Sequence, residues 1–211
     1  MGLKDQSYFL CATAQEQLDY LRFPLGGMSK DETRIEAERL GLAVADKPDS
    51  QDICFVPDGD YAAVVKQMRP DAVEPGDIVD QEGTVLGPHD GIINYTIGQR
   101  RGLNIGGGDP LYVLKLEPAA NRVVVGPKEA LLQEQVTISG VNWLGDEPLG
   151  AEALEVTVKL RSMTPLLPAT VCGVGEGAEV TLHSAYAGIA PGQACVFYQG
   201  DRMLGGGWIE R

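Results

Sequence analysis

The chain has 211 residues, of which 44% are hydrophobic, so it is long enough to bury a core and to form one or two domains. Its formal net charge of -13 argues against nucleic-acid binding over a broad surface, because lysine and arginine normally neutralise the phosphates. It contains no apolar run of about 18 residues and no secretory signal pattern, so the sequence predicts a cytoplasmic protein with no membrane partner.

The first part of the chain has the pattern of short helices. Two pairs of residues fit the capping box, in which side chains and backbone amides satisfy one another at a helix start: Thr13 with Glu16, and Ser29 with Glu32. Gly41 suits the position just beyond the end of the second helix, where a left-handed backbone is common. An apolar stripe predicts a third helix at residues 61–68.

Between the second and third helices lies a polar segment, KPDSQDICF at residues 47–55, which places Cys54 in a loop rather than in an apolar run. Pro48 disfavours helix at the preceding residue, and the aspartate and serine side chains can bond nearby backbone amides. Reactive thiols tend to lie in such segments, whereas most free cysteines are inert, small hydrophobic residues. Both interpretations of Cys54 are open at this point.

Residues beyond Pro70 have the pattern of β-structure. One hairpin is predicted to join residues 77–80 to residues 84–86, and a second to join residues 111–116 to residues 122–125. Together they indicate a small β-rich domain over residues 65–135.

Six short runs of alternating polarity follow at intervals of about 8 to 12 residues. They lie at residues 136–141, 154–160, 169–174, 179–183, 194–198 and 203–209. This spacing predicts a closed antiparallel β-barrel. The triple glycine at residues 205–207 is predicted to be strand with close backbone contacts, and the one at residues 106–108 to be a flexible turn.

The cysteines and histidines give no sign of a metal site. The four cysteines lie far apart and share no C-x-x-C spacing: Cys11, Cys54, Cys172 and Cys195. The two histidines, His89 and His183, are too few for a histidine metal site or a catalytic triad, and are expected to be surface or strand residues. No metal is therefore predicted, and Cys172 and Cys195, in alternating runs, are expected to be core residues.

Several motifs in a fixed order carry a resemblance to a known family. They are KDQSYFL at residues 4–10, KPDSQDICF at 47–55, NYTIGQRRGL at 94–103, PGQ at 191–193, FY at 197–198 and LGGG at 204–207. In this order they resemble the bacterial tRNA-specific 2-thiouridylases, which put sulfur on the wobble uridine of certain tRNAs. The matches span nearly the whole chain.

The resemblance implies an α+β protein in three parts. Residues 1–64 would be a helical remnant of an α/β catalytic domain, residues 65–135 a small β-rich central domain, and residues 136–211 an antiparallel barrel like the second domain of translation elongation factors. The family's ATP-pyrophosphatase segment, with its Ser-Gly-Gly-Val-Asp-Ser type phosphate loop, has no counterpart in these residues. The chain is therefore expected to be the C-terminal portion of such an enzyme, to bind no cofactor itself, and to be inactive alone.

The resemblance also implies a mechanism. ATP adenylates the base, and Cys54, the catalytic residue, carries a persulfide that delivers sulfur to C2 of uridine 34. The sulfur comes from a cysteine desulfurase or a sulfur-relay protein. The second cysteine, which would form a disulfide with Cys54, lies outside this sequence, and Cys11 is not expected to replace it.

The implied partner is the anticodon region of tRNAs that contain uridine 34, such as those for lysine, glutamate and glutamine. The implied tRNA-binding residues are Lys4, Asp5 and Gln6 near the active site, Arg161 and Ser162 on a barrel strand, and Gln193 in a turn. Gln99, Arg100 and Arg101 are candidates for a tRNA or domain interface. Without the resemblance these would be ordinary surface residues. The alternative function is a stand-alone β-barrel module that binds RNA or protein, in which Cys54 is only structural.

Overall fold

The computed structural model describes residues 5–47, 73–106 and 108–210 of the chain. In these residues two α-helices precede ten β-strands, and the predicted third helix at residues 61–68 lies outside them. The helices are α1 (Gln15–Tyr20) and α2 (Lys30–Arg39). The strands are β1 (Gly76–Val79), β2 (Val85–His89), β3 (Tyr112–Glu117), β4 (Arg122–Gly126), β5 (Gln133–Trp143), β6 (Leu154–Lys159), β7 (Leu167–Val174), β8 (Gly177–Tyr186), β9 (Ala194–Gln199) and β10 (Arg202–Ile209).

Helix α2 begins and ends as its sequence predicts. The backbone N–H of Glu32 donates to the Ser29 hydroxyl over 3.3 Å, and the Ser29 N–H donates to the Glu32 carboxylate over 2.6 Å, so the capping box is confirmed. Gly41 ends the helix with φ +65°, and the N–H of Leu42 donates back to the carbonyl of Ala37. This is the Schellman arrangement, which a glycine adopts without steric cost.

Helix α1 begins one residue later than predicted. Its first capped amide is the N–H of Ala14, which donates to Oε1 of Gln17 over 3.0 Å, so the capping box at Thr13 and Glu16 is wrong. The reason is that Thr13 belongs to the preceding turn, where its N–H donates to the carbonyl of Leu10. The carbonyl of Thr13 is in turn bound by a barrel side chain, described below.

The central strands form a four-stranded sheet in the order β2-β1-β4-β3. Both predicted hairpins are confirmed, since β1 pairs antiparallel with β2 and β3 pairs antiparallel with β4. Strands β1 and β4 join the hairpins in parallel. Ile78, Val113, Val123 and Val125 are fully buried and form the core of this domain.

The open end of the first hairpin is tied to the second by two polar side chains. His89, which is buried at the end of β2, accepts a hydrogen bond from the N–H of Gly91 at Nδ1, so Nε2 carries the proton that bonds the carbonyl of Asn121. The amide of Asn121 donates to the carbonyls of Glu74 and Pro75, over 2.9 and 2.7 Å. These bonds lie entirely within the central domain.

The remaining six strands close into an antiparallel barrel in the order β10-β5-β8-β7-β6-β9, which confirms the prediction from their spacing. Its interior is filled by alternate residues of each strand, among them the fully buried Val158, Val171, Val180 and Phe197. Strand β9 is buried on both faces: Cys195 and Phe197 point into the barrel, while the outward-facing Ala194, Val196 and Tyr198 pack in a separate cluster.

The two barrel cysteines have different environments. Cys195 is fully buried, as predicted, and burial raises the pKa of its thiol. The prediction for Cys172 is wrong, because Ala169 and Val171 occupy the inward positions of β7 and Cys172 therefore faces outward, half-buried.

The triple glycine of β10 lies in strand, with the close contacts that its sequence predicts. A side chain at Gly206 would place its Cβ 2.6 Å from the carbonyl oxygen of Cys195, and one at Gly207 would stand 2.6 Å from that of Ser139. Only glycine fits at these positions without moving the neighbouring strands.

No helix in the described ranges is long and apolar enough to cross a bilayer.

Candidate functional site

The segment at residues 5–13, called the arm below, lies on the outside of the barrel. Ser7–Leu10 forms a 3-10 helix in which Tyr8 is buried. The hydroxyl of Tyr8 donates to the carbonyl of Ala194 over 2.9 Å, and the hydroxyls of Ser7 and Tyr198 bond one another over 3.1 Å. Burial, with the thiol of Cys11 close by, raises the pKa of Tyr8 to about 12, so its hydroxyl stays protonated and remains a donor.

Asp5 and Gln6 lie at the start of the arm. Burial raises the pKa of Asp5, but hydrogen bonds from Ser7 and the positive charge of Lys159 outweigh it, so the pKa lies below its usual value. The backbone N–H of Ser7 donates to Oδ1 of Asp5 over 2.7 Å. The result is a carboxylate near Lys159 on β6, beside the exposed side chain of Gln6.

Arg161 and Ser162 lie in the turn after β6, which ends at Lys159, so the prediction that they lie on a strand is wrong. The turn is closed by Thr164, whose hydroxyl bonds both the N–H and the carbonyl of Arg161, over 3.2 and 2.8 Å. These bonds take the place of further strand pairing. Nε of Arg161 is buried and has no hydrogen-bond partner among the described residues.

Gln193 lies in a turn, as predicted. Its side chain is exposed, Gly192 before it has φ +80°, and its N–H donates to the carbonyl of Ala190. Strand pairing sets Lys159 of β6 opposite Val196 of β9. Because the two strands are antiparallel, the residues that follow β6 and those that precede β9 lie at the same end of the barrel. The structure therefore brings Arg161, Ser162 and Gln193 together at one end, called the docking end below.

The candidate residues Gln99, Arg100 and Arg101 belong to the central domain instead. The side chain of Gln99 is committed to its own loop: Oε1 accepts from the N–H of Thr96 over 3.0 Å, and Nε2 donates to the carbonyl of Arg101 over 2.9 Å. The backbone of Gln99 also bonds the N–H of Val113 on β3. Gln99 therefore stabilises the loop. The side chains of Arg100 and Arg101 in the same loop are exposed to solvent.

Two candidates, Lys4 and Cys54, lie outside the described residues. Cys11 is buried against β9 and burial raises the pKa of its thiol, which makes it a packing residue with little nucleophilic character. Among the described side chains no group of three or more His, Cys, Asp or Glu is placed to hold a metal ion.

Sequence analysis missed several residues that form this surface. Tyr8 and Tyr198 stand within two of the motifs quoted above, where their apolar neighbours hid the hydroxyls that bond across the arm. Lys159, whose charge lowers the pKa of Asp5, was not among the predicted tRNA-binding residues. Asn142 on β5, which binds the arm through its side-chain amide, had no sequence signal at all.

Three family models match successive parts of the chain. They are described as tRNA methyl transferase HUP domain over residues 2–58, tRNA methyl transferase PRC-barrel domain over residues 62–127, and aminomethyltransferase beta-barrel domain over residues 133–209. The third match coincides with the closed barrel, and the second with the central sheet. The three models match the chain one after another without overlap, so the chain has the domain succession HUP, PRC-barrel and β-barrel.

Three curated relatives that match the chain carry the name of one enzyme family. The chain is 61% identical to the tRNA-specific 2-thiouridylase MnmA of Rhodospirillum centenum, 62% identical to that of Paracoccus denitrificans and 56% identical to that of Rickettsia massiliae. These matches cover 99%, 98% and 99% of this chain but 55%, 54% and 57% of the relatives. The chain belongs to the tRNA-specific 2-thiouridylase family, and it spans about half the length of the curated relatives it matches.

Proposed function

We propose that this chain supplies the persulfide-carrying cysteine and the tRNA-docking domains of a tRNA 2-thiouridylase. The observation that carries the proposal is the identity of about 60% to proteins named tRNA-specific 2-thiouridylase, over nearly all of the chain. These relatives favour the enzyme over a stand-alone binding module.

The proposed chemistry assigns Cys54 the sulfur-transfer step. ATP first adenylates the uridine, so that O2 becomes part of a leaving group. The terminal sulfur of a Cys54 persulfide attacks C2, the bond from C2 to O2 breaks, and AMP departs with the oxygen. A second cysteine thiolate then cleaves the persulfide bond and forms a disulfide with Cys54, which leaves the sulfur on the base. No residue of this chain is assigned to ATP, because the phosphate-loop sequence is absent from it.

The proposed docking surface is the docking end of the barrel together with the start of the arm. Arg161 offers a positive charge suited to a phosphate. The exposed amides of Gln6 and Gln193 suit the edges of an unpaired base. Lys4, Asp5 and Ser162 complete the set proposed for tRNA contact.

The negative charge of the chain limits the size of this footprint. With a net charge of -13, only a local group of cations can attract RNA. Arg100 and Arg101 are a second such group on the central domain, and we propose that they face tRNA or a neighbouring domain. The family also suggests the remaining partners. We propose that they are tRNAs with uridine 34, such as those for lysine, glutamate and glutamine, and a sulfur donor that is a cysteine desulfurase or a sulfur-relay protein.

A reconstitution experiment tests the function. The chain alone is expected to form no 2-thiouridine from tRNA, ATP and a sulfur donor. The chain is expected to do so when extended at its N-terminus by the part of the Rhodospirillum centenum relative that it does not match. Digestion of the tRNA to nucleosides and mass spectrometry measure the product. If the extended protein folds and binds tRNA but forms no 2-thiouridine, the proposed function is contradicted. If the chain alone thiolates tRNA, the proposal that the ATP-dependent step needs residues outside this chain is contradicted.

Arg161→Ala is expected to weaken binding of the extended protein to all tRNAs alike. A phosphate contact carries no base identity, and its loss should reduce the salt slope of log K by about 0.9. Filter binding or fluorescence titration at several salt concentrations measures both quantities. Arg122→Ala is the control, since Arg122 is an exposed arginine of the central domain, paired across the second hairpin with Glu117. Unchanged affinity and slope in Arg161→Ala would exclude the docking end as the RNA surface.

A further inference from the structure

The arm is fixed to the outer face of the barrel near both of its ends. Near its start, the hydroxyl of Ser7 bonds that of Tyr198 on β9. At its end, Nδ2 of Asn142 on β5 donates to the carbonyl of Cys11 over 2.8 Å and to that of Thr13 over 2.9 Å. An amide nitrogen has two protons, so both are used to hold the backbone of the arm on the barrel.

Phe9 points away from the surface that holds the arm. Tyr8 and Cys11 are 7% and 6% exposed and are three residues apart, so they share the face of the 3-10 turn that packs on β9. A 3-10 helix turns by about 120° per residue, which directs Phe9 outward. Its side chain is 64% exposed, although phenylalanine is one of the residues most often buried. The arm therefore presents an aromatic ring to solvent.

The ring of Phe9 is held in a defined orientation. Its centroid lies 5.5 Å from that of Tyr8, with the two planes at 86°, the edge-to-face geometry that aromatic pairs prefer. Tyr8 is itself fixed by the hydrogen bond from its hydroxyl to Ala194, and the N–H of Phe9 donates to the carbonyl of Gln6 over 3.1 Å. A side chain that is already ordered loses little conformational entropy when a ligand packs on it.

Two contacts place Phe9 beside the docking end. The carbonyl that accepts from Tyr8 belongs to Ala194, which directly follows Gln193. Leu166, which lies just after the other turn of the docking end, packs in the same cluster as Tyr8. The ring next to Tyr8 is therefore close to both turns that form this end of the barrel.

The docking end exposes apolar groups as well as polar ones. Met163 lies in the same turn as Arg161, and its side chain is 89% exposed. The guanidinium of Arg161 suits a phosphate, whereas the thioether of Met163 and the ring of Phe9 offer surfaces for packing. Duplex RNA is recognised through phosphates and 2′-hydroxyls, but unpaired RNA also offers the faces of its bases, which stack on aromatic side chains. The exposed apolar groups therefore fit unpaired nucleotides.

We propose that Phe9 is a stacking platform for an unpaired base of the RNA bound at the docking end, with Met163 as a second apolar contact. This inference rests on the proposed function, and it adds that this end binds single-stranded nucleotides and not a duplex stem. Every base has a π-face, so the contribution of Phe9 should not depend on base identity. Identity is left to groups that bond base edges, such as the amides of Gln6 and Gln193.

Phe9→Ala tests the stack in the extended protein. The probe is an anticodon stem-loop RNA, and a blunt RNA duplex with the same number of phosphates is the comparison. Phe9→Ala is expected to raise the Kd of the stem-loop about tenfold, within the range for loss of one base–aromatic stack, and to leave that of the duplex unchanged. The salt slope should stay the same, because no phosphate contact is lost, in contrast to Arg161→Ala.

Phe23→Ala is the matched control, since Phe23 is 57% exposed but lies between the two helices and not in the cluster under the arm. It should change neither Kd. Phe9→Leu, which keeps an apolar side chain without a ring, should weaken stem-loop binding as Phe9→Ala does, and Phe9→Trp should preserve it. Met163→Ser is expected to raise the stem-loop Kd about threefold, as the loss of a sulfur–aromatic contact predicts.

The Phe9→Trp variant also measures access to the ring. Its added fluorescence, relative to the unsubstituted protein, should be quenched by acrylamide in the absence of RNA and by the stem-loop when it binds. If acrylamide does not quench it in the extended protein, other residues cover this position and the inference is wrong.

Two further results would overturn the inference: equal stem-loop affinity of the Phe9→Ala variant and the unsubstituted protein, or an equal loss of stem-loop and duplex binding in that variant. These measurements need neither ATP nor a sulfur donor, so their outcome is separate from thiolation. If the unsubstituted extended protein binds no stem-loop, the proposed docking function is contradicted, and the stack with it.

Discussion

Replacing Cys54 by serine in the extended protein is expected to abolish 2-thiouridine formation, a decrease of more than about a thousandfold, while tRNA affinity stays within about twofold. A serine hydroxyl cannot carry a persulfide, and loss of a covalent nucleophile commonly has effects of at least this size. Nucleoside mass spectrometry measures the product. Intact-protein mass spectrometry after incubation with a cysteine desulfurase measures the added sulfur atom on the unsubstituted protein.

Cys172→Ser is the matched control for that experiment, because Cys172 is half-buried on the outside of the barrel and has no proposed role. It should retain full activity. Normal thiolation by the Cys54→Ser variant would show that sulfur travels by another route, and a persulfide found on Cys172 but not on Cys54 would contradict the assignment of the carrier.

Phe197→Ala is expected to lower the free energy of unfolding of the chain by about 3–5 kcal/mol, the usual range for removing a buried aromatic ring. Phe197 is fully buried inside the barrel, with its ring centroid 6.2 Å from that of Trp143. Its removal leaves a cavity in a closed sheet whose strands cannot easily collapse into it. Urea denaturation followed by circular dichroism measures the change.

Trp208→Ala provides the comparison, since Trp208 has a larger side chain but is 50% exposed on the neighbouring strand β10. Its substitution should cost less than about 1 kcal/mol. Equal losses of stability in the two variants would mean that the barrel interior is not where the stability of this domain resides.

The barrel and the central hairpins were predictable because the signal for each strand lies in a few consecutive residues of the sequence. Alternation at short, regular spacing identifies each strand, and a closed barrel is the arrangement that leaves no strand edge unpaired. The same alternation gave the wrong environment for Cys172, because the pattern around it does not reveal which face of β7 is the inner one until the strand is paired. The start of α1 was misplaced because a contact from the distant Asn142 holds Thr13 outside the helix.

The candidate site was predictable only as a set of residues. The resemblance named Asp5, Gln6, Arg161 and Gln193, but nothing in the sequence indicated that the arm lies on the barrel or that two turns meet at one end. Contacts between residues more than a hundred positions apart leave no periodic pattern. They are set by strand register and by individual hydrogen bonds in the folded chain.

The order of events in folding follows from the position of the arm. Tyr8 and its acceptor Ala194 are 186 residues apart, and the arm binds a surface that exists only once β5, β6, β9 and β10 are assembled. On the ribosome the arm therefore emerges long before its binding surface, and its docking is a late step that closes a very long loop. Until then Tyr8 and Cys11 have no barrel surface to pack against, so the growing chain exposes the apolar residues of the arm until the barrel has been made.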